Sequence, residues 1–522
     1  MDITEKKVFD SQADLGPTER LLSEMTAWCV DNKRVVVLNS GMILAENPAS
    51  LDVQNCKQVM RRRSLTISKV QPATQKFIDL MLHSSGKSNQ EFFTVTDQGE
   101  ISASQELLYA MVKDAVENNI SDVHIEVRKT VAHVRFRRHG LLYLYREWTS
   151  EMARSLVSVA FNTETDQVSG YFNPNEVQSA AMQLQINHLA VRLRISSVPE
   201  IDGFDAVMRI LTVGDKKAAT LEDLGYPKEH VYLIKKAIGE PNGAMIIAGA
   251  TGSGKTTTLA ACLSLPTIEK KIYTIEDPVE KRVDNASQIP CNTEKPEFGF
   301  AAMTRGLMRM DPNIIMIGET RDADTAKVLA TASITGHFVL STLHANSTVN
   351  IVARLKELGL SSGMIADPNF LVCLIFQQLI PKLCTHCSVP LLKAKEYKPY
   401  LADWKSFFEK DFKTMRVRSR DAKCEHCDNL GITGRQVAAE VLWVDNHIRR
   451  FIVDQDLLSI TNYLEKQGWR SARDYAMDAV KQGICDPLDA EDVVGKFNPL
   501  LAQDKFDYMT LIKKMNDGEL LE

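Results

Sequence analysis

The sequence predicts an α/β protein. Its central domain is built on a mostly parallel sheet, preceded by a mixed α/β domain and followed by a helical region with a small metal-binding module. Three observations carry this reading. Between about 243 and 345, apolar runs of strand length alternate with helix-length segments, the pattern of a parallel sheet covered on both faces. Upstream, apolar residues recur at every second position, as strands with one buried face require. Downstream, four cysteines form two C-x-x-C pairs.

Composition bounds the remainder. The chain has 522 residues, 44% hydrophobic and 25% charged, with a net charge of −5. That profile excludes a chain disordered throughout, and at roughly 100–200 residues per domain it holds three or four domains. No apolar run approaches the roughly 20 residues that cross a bilayer; the longest, near 243–250 and 370–376, have the size of a strand or a buried helix. Glu5, Lys6 and Lys7 are not followed by the apolar core and cleavage site of a secretory signal. Ten cysteines are too few for a disulfide scaffold, so a reducing cytosol is expected. Slight net acidity, without a groove signature of interleaved aromatic and basic residues, argues against a nucleic-acid path.

Residues 1–101 read as a small adaptor domain, with a short strand at 33–38 and a helix at 73–82. Its basic cluster, Arg61 to Arg63, is either a solvated face or a docking patch for a partner or lipid. The second domain, 102–215, opens on a helix with Leu107, Leu108, Met111, Val112, Ala115 and Val116 at helical spacing. Strands follow at 123–127, 131–137, 141–145 and 183–195, in an antiparallel-rich sheet, and 216–224 read as a linker. The central domain, 225–380, has strands at 244–248, 271–275, 314–317 and 338–341, with helices through 263 and at 300–310 and 323–334. Beyond 345 the pattern turns helical. It is interrupted by a cysteine module at 381–435 and ends, within 436–522, in helices near 457–467 and 472–482.

Gly249-Ala250-Thr251-Gly252-Ser253-Gly254-Lys255-Thr256 fits G-x-x-x-x-G-K-[ST], between an apolar strand and a helix that continues through Thr257. Glycines let successive backbone N–H groups turn inward around phosphate oxygens, and the helix N-terminus adds its positive end. Lys255 would neutralise β/γ-phosphate charge, and the Thr256 hydroxyl would hold Mg²⁺. The loop predicts nucleotide binding; hydrolysis needs further groups.

Those groups follow on the next strands. Glu276, Asp277 and Glu280 stand just beyond one strand, on the edge where open α/β sheets bind ligands. Glu319 stands just beyond another, where a carboxylate would polarise the attacking water while Glu276 and Asp277 position the metal shell. The plain alternative is that these acids cap helices and form surface pairs. His337 and His344 flank the next strand and would sense the γ-phosphate, unless they are structural.

Upstream, Arg135, Arg137, Arg138, Arg192, Arg194 and Arg209 lie on or at the ends of strands. Arg192 and Arg194 share one face by two-residue periodicity. Such a stripe suits a surface that closes over phosphates, in the same or a neighbouring subunit, or is a set of solvated sheet-edge charges. Asp122, His124 and Glu126 alternate on one strand and would orient these arginines. Cys384, Cys387, Cys424 and Cys427, with 36 residues between the pairs, would close a structural tetrahedral Zn²⁺ site. Two separate redox pairs are the rival. His386 and His426 fall between ligands and outside the expected set; the other six cysteines read as buried or incidental.

At this point the chain resembles a known family. Ile120-Ser-Asp-Val-His-Ile-Glu126, Val134-Arg-Phe-Arg137 and the Gly249 loop resemble the ATPases of type II secretion and type IV pilus systems. Thr274-Ile-Glu-Asp-Pro-Val-Glu280 resembles their aspartate box, the run from Arg305 to Asp322 their Walker B region, and Thr335 to Asn346 their histidine box. The resemblance is close over 102–345 and continues to about 495.

It implies a RecA-like P-loop ATPase core preceded by a PAS-like α/β domain. It implies a homohexamer with ATP bound between the two domains, whose hydrolysis moves one against the other. Glu319 becomes the Walker B glutamate; Glu276, Asp277 and Glu280 the aspartate-box acids; His337 and His344 the histidine box; and Arg192, Arg194 and Arg209 the interdomain arginines. The motor would work at the cytoplasmic face of the inner membrane, docked to a polytopic platform protein and adding pilin subunits, without direct contact to nucleic acid. The tetracysteine module fits assembly or secretion motors rather than retraction motors. Two departures stand out. Gln377-Gln378-Leu379 replaces a usual Gln-Arg-Leu, and the region before residue 100 is short. Together these favour a motor that assembles a type IVb pilus, or a plasmid conjugative thin pilus. A type II secretion motor, a DNA-transfer ATPase and an ATP-binding scaffold with little turnover are the alternatives.

Overall fold

The computed structural model describes residues 34–63, 65–74, 103–162, 172–187, 189–213, 219–266, 269–292, 295–408, 410–419 and 423–498, with isolated positions elsewhere. The chain divides into two compact units, Met1–Phe92 and Phe93–Glu522.

In the first unit β1 (Val35–Val37) pairs antiparallel with β2 (Ile43–Ala45), which pairs parallel with β3 (Val70–Pro72). The helix Leu51–Arg62 is capped by Ser50, whose side chain accepts from the Val53 N–H. Its apolar residues Val53, Cys56 and Met60 pack onto the buried strands β1 and β2. Arg61 and Arg62 occupy the last turn, where cations complement the helix dipole, and with Arg63 they are exposed. The expected strand is β1. The expected helix at 73–82 lies largely outside the described residues, with Phe77 and Ile78 helical and buried.

The second unit opens on a six-stranded antiparallel sheet, formed by β4 (Asp122–Val127), β5 (Val131–Arg138), β6 (Leu141–Thr149), β7 (Gln178–Ile186), β8 (Leu189–Glu200) and β9 (Gly203–Val213) in the order β6-β5-β4-β9-β8-β7. In every strand but β6, alternate residues such as Val123, Ile125, Val134, Phe136, Leu193 and Ile195 are buried. The core these residues form includes Leu108, Met111 and Val112 of the helix Ala103–Glu117 and Ala153, Leu156 and Val157 of the helix Ser150–Asn162. The single strand expected at 183–195 is two strands. Its alternation slips phase between Ile186 and Leu189, where Asn187 takes a left-handed φ of 46° and turns a hairpin.

Seven strands form the second sheet. They are β10 (Gly243–Ala248), β11 (Ile272–Glu276), β12 (Ala286–Pro290), β13 (Ile314–Ile317), β14 (Phe338–Leu343), β15 (Leu371–Leu383) and β18 (Ile432–Trp443), in the order β12-β11-β13-β14-β10-β15-β18. All neighbouring pairs are parallel except β15 with β18. The central strands β10, β13 and β14 are buried at every residue, which is why they read as unbroken apolar runs.

The helical pattern expected beyond 345 is corrected here. Two long strands, β15 and β18, extend the sheet. Positions 371–376 are buried on both faces, so they carry no period-two signal to separate a strand from a buried helix. Between these strands the chain makes an excursion with the short pair β16 (Val389–Pro390) and β17 (Arg416–Val417) and the helix Leu401–Phe408. The helices Asn446–Val453, Leu457–Lys466, Ala472–Lys481 and Pro487–Val494 then form a C-terminal helical region. Among the described residues no helix is long and apolar enough to cross a membrane.

Candidate nucleotide and metal sites

Because β10, β11, β13 and β14 are parallel and in register, the loops after them meet along one edge of the sheet. The loop after β10 runs through Gly249, Gly252 and Gly254, all at positive φ, into the helix Lys255–Leu263. Gly254 is the helix N-cap at φ 86°. At Gly249 a Cβ would lie 2.4 Å from the Gln377 carbonyl oxygen and 2.5 Å from Ser253 Oγ, so only glycine fits. Lys255 Nζ donates to the carbonyls of Gly249 (2.8 Å) and Ala250 (3.1 Å), which folds the ammonium over the loop. Burial lowers its pKa, against the attraction of Glu319 and Glu280. Thr256 and Thr257 follow in the first turn, where Thr257 Oγ1 accepts from Lys281 Nζ at 2.9 Å.

Glu319 lies two residues beyond β13 and touches a guanidinium and an imidazole. Its Oε2 accepts from Arg321 Nη2 at 2.6 Å, and its Oε1 is 3.3 Å from His344 Nε2. Burial pushes the Glu319 pKa up, but the Arg321 hydrogen bond, with Arg321, His344 and Lys255 as neighbouring charges, outweighs it and holds the carboxyl below its usual range. Glu276 ends β11 and is buried; its Oε1 accepts from Thr274 Oγ1 (2.7 Å) and Gln288 Nε2 (2.9 Å). Here burial dominates and raises the pKa. Asp277 interacts electrostatically with Arg321, and Glu280 with Lys255. Lys255, Glu319, His344 and the aspartate-box acids therefore share one edge.

His337 does not share it within the chain. It precedes β14, hydrogen-bonds the Ala332 carbonyl through Nδ1 (3.1 Å), and is separated from His344 by the whole six-residue strand, about 20 Å. Two histidines flanking one strand necessarily sit at opposite edges of the sheet.

Arg192 and Arg194 lie on the face of β8 opposite the helices, and Arg194 is in register with Arg209 of β9. Arg209 Nε donates to Asp122 Oδ1 (3.0 Å), Arg135 Nη1 to Glu126 Oε1 (3.1 Å), and Arg137 Nη2 lies 3.4 Å from His124 Nε2. The alternating polar residues of β4 thus orient arginines. Among the described residues no hydrogen bond or ion pair joins Arg192, Arg194 or Arg209 to the phosphate loop.

The ligand atoms of Cys384, Cys387, Cys424 and Cys427 all lie within 4.8 Å of one another. Cys384 Sγ is 3.9 Å from Cys424 Sγ, and Cys387 Sγ is 3.7 Å from Cys427 Sγ. A tetrahedron with metal–sulfur bonds of about 2.3 Å spaces its sulfurs by about 3.8 Å, so the four thiols fit Zn²⁺. The Asn429 side chain accepts from the Cys424 N–H, and the Gly431 N–H donates to Cys427 Sγ, outer contacts that fix the sulfurs. His386 and His426 are not in the ligand cluster; their rings pack 4.0 Å apart.

The sequence assigns no role to four residues at or near these sites. Arg321 lies inside a quoted motif, yet its role depends on reaching back to Glu319. Gln288 and Lys281 reach Glu276 and Thr257 only through the pairing of β11 with β12 and the loop between them. Gln378, where an arginine was expected, donates at 2.7 Å to the carbonyl of Val493, in the last turn of the helix Pro487–Val494.

Comparison with known proteins follows the same outline. A family model described as type II/IV secretion system protein matches residues 97–497. The type II secretion system ATPase E of Vibrio cholerae serotype O1 is 32% identical over 381 residues, 72% of this chain and 73% of that protein. The type IV pilus assembly ATPase PilB of Thermus thermophilus is 32% identical over 393 residues, 73% of this chain but 42% of that protein. In fold, the chain is similar to the Legionella pneumophila ATPase DotB, with TM-score 0.54 at 20% identity over 76% of this chain and 97% of that one.

Proposed function

Because the chain belongs to the type II/IV secretion system protein family, we propose that it is a Mg²⁺-dependent ATP-hydrolysing motor of a type II secretion machine. The observation that carries the reading is one edge of one sheet: a glycine-rich phosphate loop with Lys255, faced by the ionised carboxylate of Glu319. The Vibrio relative, matched over most of both chains, supports secretion at least as well as the Thermus relative supports pilus assembly. Assembly of a type IV pilus, including the type IVb or conjugative thin-pilus forms, is the second reading.

In this reading the backbone N–H groups of 250–256 and Lys255 Nζ hold the phosphates. Thr256 Oγ1 would hold Mg²⁺, which when bound supplies positive charge against the phosphate oxygens. Glu319 orients the attacking water and takes its proton at a carboxylate oxygen, with His344 Nε2 beside Oε1. Glu276, fixed by Thr274 and Gln288, sets the course of the chain through Asp277 and Glu280. Arg192, Arg194 and Arg209 act on nucleotide held by the adjacent subunit of a homohexamer. The four cysteines hold a structural Zn²⁺. The partners are a polytopic inner-membrane platform protein and, through it, pilin-like subunits; nucleic acid is not contacted. The same reading divides the chain into an adaptor (1–101), a PAS-like domain (102–215), a RecA-like core (225–380), the zinc module (381–435) and the helical end (436–522).

ATP turnover of size-separated protein, with and without the platform protein, tests this. Glu319→Gln is expected to lower kcat by about 100-fold or more while nucleotide still binds. Turnover that ignores this substitution would overturn the catalytic assignment. A second arm, asking which platform protein raises turnover, separates secretion from pilus assembly.

A further inference from the structure

Two buried polar side chains make hydrogen bonds that the catalytic assignment leaves unused. Tyr226, 4% exposed, stands just before the helix Lys228–Gly239, and Gln377, fully buried, sits in the middle of β15. The Tyr226 hydroxyl donates to Gln377 Oε1 at 2.6 Å, and Gln377 Nε2 donates to the backbone carbonyl of Ser253 at 2.6 Å. The same hydroxyl lies 3.4 Å from Thr258 Oγ1, in the helix that the phosphate loop opens.

The direction of this relay is fixed. Burial pushes the Tyr226 phenol far above its usual range, so it stays a neutral O–H donor. An amide that accepts through Oε1 on one side must present its N–H₂ on the other. Gln377 can therefore only donate to the loop, and its partner there is a carbonyl. A trans peptide is planar, so the Ser253 carbonyl and the following Gly254 N–H point in opposite directions. Holding that carbonyl down onto β15 turns the Gly254 N–H up, away from the sheet. The strand is the floor of the loop: a Cβ on Gly254 would come within 3.3 Å of Gln377 Nε2.

Tyr226 is itself anchored. It ends the segment that enters the domain, where the Leu224 carbonyl accepts from the Val437 N–H of β18 at 2.9 Å and the Tyr226 N–H donates to the Leu221 carbonyl. Residues 219–226 are thus tied to the sheet on one side and to the phosphate loop on the other.

Resting on the nucleotide-binding reading above, we propose that Tyr226 and Gln377 are positioning residues, a relay from the interdomain connector that presets the phosphate loop with its Gly254 N–H turned toward the bound phosphates. Neither side chain need touch nucleotide. The interaction exists before nucleotide arrives, so it lowers the reorganisation needed for binding and acts on ground and transition states alike.

The full-length protein tests this through the affinity of a fluorescent ADP analogue, the kcat and KM for ATP, and melting without nucleotide. Tyr226→Phe is expected to weaken ADP binding and raise KM about five-fold, the worth of one ordinary hydrogen bond, with kcat within two-fold of the parent. Gln377→Met, which fills the space and donates nothing, is expected to weaken binding more than ten-fold. The double variant should then bind no worse than Gln377→Met alone, because the tyrosine acts only through the glutamine. Should Gln377→Met fail to fold, Tyr226→Phe decides alone. Variants that melt lower but bind ADP as the parent does, or effects that add in full, would overturn the relay. A parent protein that binds no ADP would overturn the functional reading, and the relay with it.

Discussion

Arg321 competes for the carboxylate that the proposed mechanism uses as its base, Glu319. Its Oε2 is engaged by Arg321 at 2.6 Å, and that guanidinium, against the pull of burial, keeps the carboxyl ionised below its ordinary 4.5. A depressed carboxylate stays available as pH falls through 4.5 and is lost only below that value. Arg321→Ala removes the lowering contact and leaves burial to dominate, so the acidic limb of the kcat profile is expected to move to higher pH. Arg321→Lys should restore most of the shift, and a pH–rate series on the three proteins checks it. The placement of Lys255, Thr256 and Glu319 was legible because it lies in local spacing: a loop between strand and helix, and an acid just past a strand. The contacts of Arg321, Gln288 and Gln377 were not: Gln288 and Gln377 meet partners that only folding brings near, and spacing alone does not say that Arg321, two residues from Glu319, turns its side chain back onto it. The sequence likewise left open that His337 lies at the other edge of the sheet from His344. Adjacency to a strand says nothing about which edge of the sheet a residue occupies.

Among the elements, the cysteine excursion shows what spacing can and cannot say. Its cluster of four thiols was readable from two C-x-x-C pairs, and the observed sulfur separations of 3.7 and 3.9 Å suit one tetrahedral ion. The strands that carry it were not readable, because an apolar run buried on both faces looks the same in a strand and in a core helix. Four thiolates leave no open coordination position, so the metal is expected to stabilise and not to catalyse. Elemental analysis should find about one zinc per chain. Cys424→Ser should lose it and lower the melting temperature by several degrees, as loss of a structural metal does. The affinity for ADP should change less than two-fold; a loss of ADP binding at temperatures where the variant is still folded would assign the module a more direct part.

For the whole molecule, the decisive question is where the arginines of the antiparallel sheet act. Asp122, His124 and Glu126 hold Arg209, Arg137 and Arg135 on one face, while among the described residues no hydrogen bond or ion pair joins Arg192, Arg194 or Arg209 to the phosphate loop of the same chain. If these cations complete a neighbour's site, Arg194→Ala and Glu319→Gln are each inactive alone, yet a one-to-one mixed oligomer regains about a quarter of its sites, those pairing an intact Glu319 with an intact Arg194 across the subunit boundary. Arginines acting within their own chain would give no recovery, and turnover of mixed oligomers separates the two. The division into α/β parts was legible from strand–helix alternation and period-two runs. The hairpin at Asn187 and the last two strands of the large sheet were not, because the signals that mark them are one slip of phase and one absence of period.

The last paired residues of β15 and β18 are Leu383 and Ile432. Partners across an antiparallel ladder stand only about 5 Å apart. Everything between them, the four thiols included, leaves the sheet and returns to it through a doorway that a turn of two residues would span. The excursion is nonetheless no free appendage, since Tyr397, Trp404 and Phe408 share one buried core with Ala476, Val480 and Ala490 of the C-terminal helices. A chain that lost it would bare that core, although the phosphate loop resting on the same strand, at Gln377, would keep its floor.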